Sequence, residues 1–351
     1  MATVEAPPGI NYATLVPWFC EHVEPVETLT ATVVGHGRSN ITYRLDADGG
    51  RSWVLRRPPL SHVQKTAHDM GREFRIISAL HPTGFPTPKT YALCNDESVL
   101  GAQFYIMEYV EGIIAVDAAD TARRFDEKKR HAIGIELVDV LARLHAFKPD
   151  EIGLADFGKP QGYLERQVRR FAEQLENIRY RETPELDELA KRLKGAIPPE
   201  RTAGIVHGDY RLDNAIINDE GHIIAVLDWE MCTLGDSLAD LGLLRMYWGR
   251  ATSAQMMIGS SGPVMALPGF PTWEEAAARY EEKSGVSLAA LDFYTVLAFF
   301  KLGVILENMY KRFLGGGTVG AGFDMIGQQA MALGKQGLEV ANASTIAELR
   351  G

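Results

Sequence analysis

The spacing of apolar and polar positions changes character near residue 110. From 29 to 60 the chain is rich in β-branched residues interrupted by glycine: TLTATVVGHGRSNITYRL, DADGG, then RSWVLRRPP. This predicts two or three strands joined by a Gly-rich turn and an Asp-Gly-Gly hairpin turn, where glycine supplies positive φ. Met70, Phe74, Ile77 and Leu80 then recur at helical spacing before His81-Pro82 breaks the pattern, so a short helix is inserted into the sheet. FYIMEYVEG follows as a buried strand running into a glycine turn. Beyond it, Ile133, Leu137, Leu141 and Leu144 mark one stripe of a long helix ending near Pro149. Further helices are predicted at 164–178, 186–193, 273–283 and 288–312. A β island interrupts them at 215–228, where AIIN and IIAVLD flank the polar turn DEGH. The predicted architecture is α+β, with two lobes: residues 1–109, a small antiparallel sheet with one helix, and residues 110–351, mainly helical.

Composition narrows the class. A chain of 351 residues exceeds the size at which single cores stop growing, which supports two lobes with a cleft. Its net charge of −10 argues against general nucleic-acid binding, which needs clustered cations for phosphates. Cys20, Cys94 and Cys232 are odd in number and far apart, so neither a disulfide framework nor a zinc knuckle is expected, and a reducing cytoplasm fits. The start, MATVEAPPGINYATL, has neither the positive segment nor the apolar run of a signal peptide. The most apolar stretch, 291–306, contains Asp292 and Lys301 and falls short of the ~20 apolar residues that span a bilayer. It reads as a buried helix, and no membrane partner is expected.

Candidate chemistry is concentrated in IVHGDYRLDNAIINDEGHIIAVLDWEMCTLGDSLADLG, residues 205–242. His207-Gly208-Asp209 precedes Asn214, then a hairpin, then Asp228-Trp229-Glu230. A carboxylate and an amide oxygen at the base of that hairpin, Asp228 and Asn214, suit Mg²⁺, a hard cation that takes its remaining oxygens from substrate phosphates. Asp209 could accept the proton of a hydroxyl attacking a bound phosphate. HxD or DW alone is common, but the ordered set within its strand context is specific.

This arrangement resembles the catalytic core of the protein-kinase-like superfamily, and within it the aminoglycoside phosphotransferase and choline kinase branch. The resemblance covers about residues 25–335 and implies an ATP- or GTP-dependent transfer of phosphate with Asp209 as the catalytic residue and Asn214 and Asp228 on the metal. It implies that Asp240, in the acidic segment holding Asp236 and Asp240, braces the catalytic loop. Gly35-His36-Gly37-Arg38-Ser39-Asn40 matches the phosphate-covering turn, with Gly37, Ser39 and Asn40 as nucleotide contacts, although for a G-x-G taken alone a plain hairpin turn is the more frequent explanation. Arg56 and Glu73 occupy the places of the phosphate-contacting cation and its helix partner. Arginine there departs from the usual lysine, and a purely exposed basic pair, Arg56-Arg57, is the competing reading. By the same resemblance the Glu108 carbonyl and the Val110 amide read the adenine edge, with Met107 behind the ring.

GLADFGKPQGYLERQVRRF and LDFYTVLAFFKLGVILENMYKR look like a bacterial branch related to the kinase domain attached to some acyl-CoA dehydrogenases. That implies a small-molecule hydroxyl acceptor, a hydroxyacyl-CoA or an aminoglycoside-like compound, and the short span from Asp228 to Asp240 argues against a protein substrate. Arg166, Gln167, Arg169 and Arg170 are candidate CoA contacts, though a solvated basic face explains them more simply. Trp229 and Trp248 border an acceptor pocket or pack in the core, Arg211 is a candidate cation near the transferred phosphate, and Glu230 a candidate second contact for metal or acceptor. Two other classes compete. One is a nucleotide-binding regulatory pseudokinase; the other, a dinucleotide-binding enzyme, lacks the alternating βαβ series it needs.

Overall fold

The computed structural model describes residues 6–34, 40–60, 69–248, 262–316 and 323–351. They fall into two compact units, Met1–Gly112 with Ile224–Cys232, and Ile113–Ile223 with Thr233–Gly351. Residues 224–232 are thus grouped with the first unit, far from it in sequence.

The first unit is built on β1 (Leu29–Val33), β2 (Ile41–Ala47), β3 (Ser52–Arg57), β4 (Thr90–Cys94) and β5 (Phe104–Glu108). They form an antiparallel sheet in the order β1-β2-β3-β5-β4. Period-two alternation gives the sheet two different faces. Tyr43, Leu45, Trp53, Leu55, Phe104 and Ile106 bury one of them with Leu15 and Phe19 of α1 (Tyr12–His22). The sequence pattern predicts no helix before residue 29; α1, capped by the Asn11 side chain, is an addition. Arg57 shares that apolar face, 4% exposed, with its guanidinium donating to the Gly9 and Leu100 carbonyls. Its neighbour Arg56 points to the other face, so the exposed basic pair is excluded. α2 (Met70–Leu80) is started by Asp69, whose side chain accepts from the Arg72 N–H, and buries Met70, Glu73, Ile76, Ile77 and Leu80. α3 (Glu97–Leu100) is a single turn.

The second unit contains α4 (Ala118–Arg124), α5 (Glu127–Ala146), α6 (Tyr163–Ile178), α7 (Pro184–Gly195), α8 (Leu238–Tyr247), α9 (Gly262–Met265), α10 (Trp273–Ser284), α11 (Leu291–Leu314), α12 (Ile326–Ala343) and α13 (Ala347–Arg350). The α5 stripe of Ile133, Leu137, Leu141 and Leu144 is wholly buried. α11 is long and apolar enough to cross a membrane, yet 67% of that window is buried against protein. It packs on α8, where a Cβ on Gly242 would lie 2.5 Å from the Tyr294 carbonyl carbon, so glycine sets the helix separation. The short strands β6 (Gly204–Val206) and β9 (Thr233–Gly235) pair antiparallel. β7 (Ala215–Ile217) follows the loop of residues 207–214, and β8 (Ile223–Val226) carries the chain onward to Asp228.

Candidate active site

In the second unit, β6 delivers the chain into residues 207–214, and nearly every polar group of this loop has a defined partner. Asp240, one turn into α8 and 1% exposed, accepts from the His207 N–H at 2.7 Å and the Gly208 N–H at 2.8 Å. His145 Nε2 lies 3.2 Å from the same carboxylate, and its Nδ1 lies 2.7 Å from the Tyr280 hydroxyl. Burial alone would raise the Asp240 carboxyl; the hydrogen bond and charge of His145, then the charge of His207 and the Gly208 N–H, outweigh it and hold the group below the ordinary range. The Asp209 N–H donates to His207 Nδ1 at 3.2 Å, which makes that nitrogen an acceptor. Gly208 takes φ +88°, the left-handed turn that lets both neighbours face inward.

Asn214 donates from its Nδ2 to the Asp209 carbonyl at 2.8 Å and to Asp209 Oδ2 at 3.0 Å. Both partners are acceptors, so the amide must present nitrogen to Asp209 and turn its oxygen the other way. An amide oxygen is of the hard oxygen class that Mg²⁺ prefers. Arg211 Nε lies 3.2 Å from Asp209, its Nη1 lies 2.7 Å from Asp213, and its guanidinium covers Tyr247 at 5.4 Å. Asp236 is structural: it accepts from the Leu238 N–H and from the Tyr294 hydroxyl.

In the first unit, Arg56 is the centre of a charge cluster. Its Nη2 lies 2.6 Å from Asp228 Oδ1 and 3.6 Å from Glu230 Oε2, and its Nε lies 3.0 Å from Glu73 Oε2. Neither Arg56 Nε nor Glu73 Oε2 completes a hydrogen bond, so the last contact is one of charge with a misdirected N–H. One cation thus faces three carboxylates. Burial pushes the Glu73 carboxyl up to about 7; Arg56 pulls it back, and Asp228 and Glu230 push it further. Among the described residues Asp228 is the one non-glycine with positive φ, +64°, a strained conformation that aspartate tolerates better than most. Glu230 also accepts from Asn40 Nδ2 at 2.9 Å, which ties the end of the Gly-rich segment to the residues after Asp228.

Alternation on β3 and β5 puts Val54 and Met107 opposite each other on the Arg56 face, both nearly buried. Glu108 donates its N–H to the Lys89 carbonyl and accepts from the Lys89 N–H with its side chain, while the Val110 N–H has no hydrogen-bond partner among the described residues. Gly37 and Ser39 lie outside the described residues. Trp229 and Trp248 are packing residues: each indole donates to a backbone carbonyl, of Val226 and Pro271, and meets another ring edge-on, Phe85 and Trp273. Arg166 is folded back on the Gln161 and Lys159 carbonyls, and Arg169 lies 3.8 Å from Glu173, one turn away. His145, at the end of the α5 stripe, escapes the motif reading; a histidine beside Leu144 in a buried stripe is the signal that would have found it.

The sequence profile of the phosphotransferase enzyme family matches residues 30–277. The chain belongs to that family. It is 31% identical over 334 residues to acyl-CoA dehydrogenase family member 11 of Gallus gallus, covering 93% of this chain and 42% of that protein. It thus spans about two fifths of the length of the family member 11 proteins it matches. A crystal structure from Ralstonia eutropha, provisionally named an aminoglycoside phosphotransferase, is 33% identical with a TM-score of 0.82, covering 95% of this chain and 98% of that one. The aminoglycoside phosphotransferase APH(4)-Ia, crystallised with AMP-PNP and hygromycin B, is 15% identical with a TM-score of 0.60 over 93% of this chain and 98% of that one, a likeness of fold. The phosphotransferase family and its kinase-like α+β fold are therefore those the sequence motifs imply.

Proposed function

We propose that this phosphotransferase-family chain moves the γ-phosphoryl group of ATP, with Mg²⁺, to a hydroxyl of a small molecule. The observation that carries the reading is the catalytic loop: Asp209 is held by Asn214 and Arg211, and the loop beneath it by Asp240. In the reaction the acceptor oxygen forms a bond to the γ-phosphorus as the bond to the β,γ-bridging oxygen breaks, ADP leaves with that electron pair, and the acceptor proton passes to the Asp209 carboxylate. Positioning does most of this work, because a loose phosphoryl-transfer transition state asks little covalent help. Asn214 and Asp228 would hold the metal, which neutralises charge on the phosphates when bound.

Val54 and Met107 would enclose the adenine, with the Glu108 carbonyl and the Val110 N–H as its edge contacts, and Arg56, held by Glu73, would contact the phosphates together with Gly37, Ser39 and Asn40. A hydroxyacyl-CoA is the acceptor we favour over aminoglycosides, on the likeness to acyl-CoA dehydrogenase family members. A cytoplasmic setting belongs to the same proposal and is supported by the free thiols of Cys20, Cys94 and Cys232. One contact favours a second reading, a regulatory pseudokinase: Arg56 occupies Asp228 Oδ1.

A phosphate-transfer screen with ATP and Mg²⁺ over hydroxyacyl-CoAs, aminoglycosides, choline and sugars tests the two readings. The wild type should transfer phosphate, and Asp209→Ala should lose it by about 10³-fold or more while calorimetry shows nucleotide binding retained. Tight nucleotide binding without transfer or hydrolysis in the wild type would establish the pseudokinase instead.

A further inference from the structure

β5 sets Tyr105 directly across from Arg56 of β3, and residues paired in register send their side chains to one face, so the two share the side of the sheet that holds Val54 and Met107. Tyr105 is 0% exposed, and its ring meets Phe74 of α2 edge-on, next to Glu73 in the chain. Its hydroxyl has no hydrogen-bond partner among the described residues. Nothing in the proposed reaction uses this group, and a phenol buried without a partner is less favourable than the phenylalanine that would fill the same space.

Three buried atoms here complete no hydrogen bond: Tyr105 Oη, Glu73 Oε2 and Arg56 Nε. They are complementary, because a phenol and a guanidinium N–H donate and a carboxylate oxygen accepts from both. Burial, reinforced by the charge of Glu73, holds the Tyr105 hydroxyl well above the ordinary tyrosine value, so it keeps its proton to donate. The guanidinium is committed elsewhere: Nη2 lies 2.6 Å from Asp228 Oδ1, while Nε, 3.0 Å from Glu73 Oε2, aims its hydrogen away. All of these residues belong to the first unit, and α2 packs on both β5 and the turn Trp229–Met231. Once Asp228 turns to a metal ion, Arg56 can bring its Nε hydrogen onto Glu73, and a small shift of that carboxylate serves Tyr105 as well.

We propose that Tyr105 is a positioning residue for nucleotide binding: its hydroxyl donates to Glu73 in the arrangement where Arg56 has left Asp228, and so favours the state in which Glu73 holds the phosphate-contacting cation and Asp228 is open to Mg²⁺. The inference rests on the phosphotransferase reading and deepens it by adding a residue that acts on the nucleotide through Glu73 and Arg56. The idle hydroxyl destabilises the ligand-free arrangement, in which it has no acceptor, relative to the loaded one, in which it has.

The test uses the full chain, thermal unfolding without ligand, and calorimetry with AMP-PNP at graded Mg²⁺ concentrations. Tyr105→Phe removes a hydroxyl that has no bond to lose in the ligand-free chain, so its Tm should equal or exceed that of the wild type. With saturating Mg²⁺ its Kd for AMP-PNP should rise by about tenfold, the loss of one hydrogen bond to a charged group. Without Mg²⁺, where Arg56 stays on Asp228, the two proteins should bind the nucleotide alike. In a Glu73→Gln background Tyr105→Phe should add little further loss, since the two residues act as one unit. A marked fall in the Tm of ligand-free Tyr105→Phe would show the hydroxyl already bonded there and overturn the proposal. An unchanged Kd with Mg²⁺, an equal rise without it, or an undiminished effect in the Glu73→Gln background would do the same while leaving the phosphotransferase reading intact. Failure of the wild type to bind AMP-PNP at any Mg²⁺ concentration would overturn that reading and the proposal with it.

Discussion

The loop around Asp209 and the cluster around Arg56 both carry buried charge, and they handle it in opposite ways. In the loop, the carboxylate of Asp240 is matched by two backbone N–H groups and His145, and the group stays ionised despite its burial. In the cluster, one guanidinium serves Glu73, Asp228 and Glu230, two buried atoms complete no hydrogen bond, and burial drives the Glu73 carboxyl up. A fully satisfied network holds a backbone in one shape. An under-compensated one is stabilised by whatever cation arrives, and Asp228, on a strained residue with Arg56 as its present partner, is where such a cation would act.

The comparison is broken most severely at Asp240. Asp240→Asn sets an amide donor against at least one of the donors that Asp240 now accepts from. It should cost about 3–5 kcal/mol of folding stability, as for breaking other buried charged networks, with transfer falling in parallel; denaturant unfolding and the transfer assay measure both. A loss under about 1 kcal/mol would mean that the loop is held elsewhere. Arg56→Lys should act less strongly and in the other direction on the metal. A single ammonium cannot fork between Glu73 and Asp228 as guanidinium does, so the Mg²⁺ concentration needed for ATP binding should fall by about tenfold or less. An unchanged or higher Mg²⁺ requirement would show that Arg56 does not compete for Asp228.

The smallest effect is in pH dependence. Because the folded chain holds the Glu73 proton more tightly than the unfolded chain does, the stability this adds is complete below the ordinary glutamate value and is lost as pH rises through about 7. Glu73→Gln should therefore flatten the decline of Tm across that window. An identical slope in the two proteins would show that Glu73 does not titrate there.

Much of this was legible in residue order. The strands within 29–60, the α5 stripe and the helix over 288–312 follow from residue pattern, because each element's apolar positions record what it buries. The loop was legible as well, since HGD, Asn214 and DWE stand at short range on consecutive elements. α1 was hidden: an internal proline, Pro17, and a short length weaken its signal, and it forms because the sheet offers Trp53 and Phe104 to pack on. Arg166 looked available for a ligand because sequence cannot show that its guanidinium returns to the Gln161 and Lys159 carbonyls.

Sequence by itself determined which chemical groups this protein owns and the order in which secondary structure presents them, because periodicity and turn chemistry are local. Tertiary structure decided what each group faces. It sent Arg56 and the adjacent Arg57 to opposite sides of one strand, made Glu73 a buried carboxyl, and employed Asp236 and Asp240 as braces. Burial, charge compensation and hydrogen-bond direction depend on residues tens to hundreds of positions away, and the pattern of a single segment does not contain them.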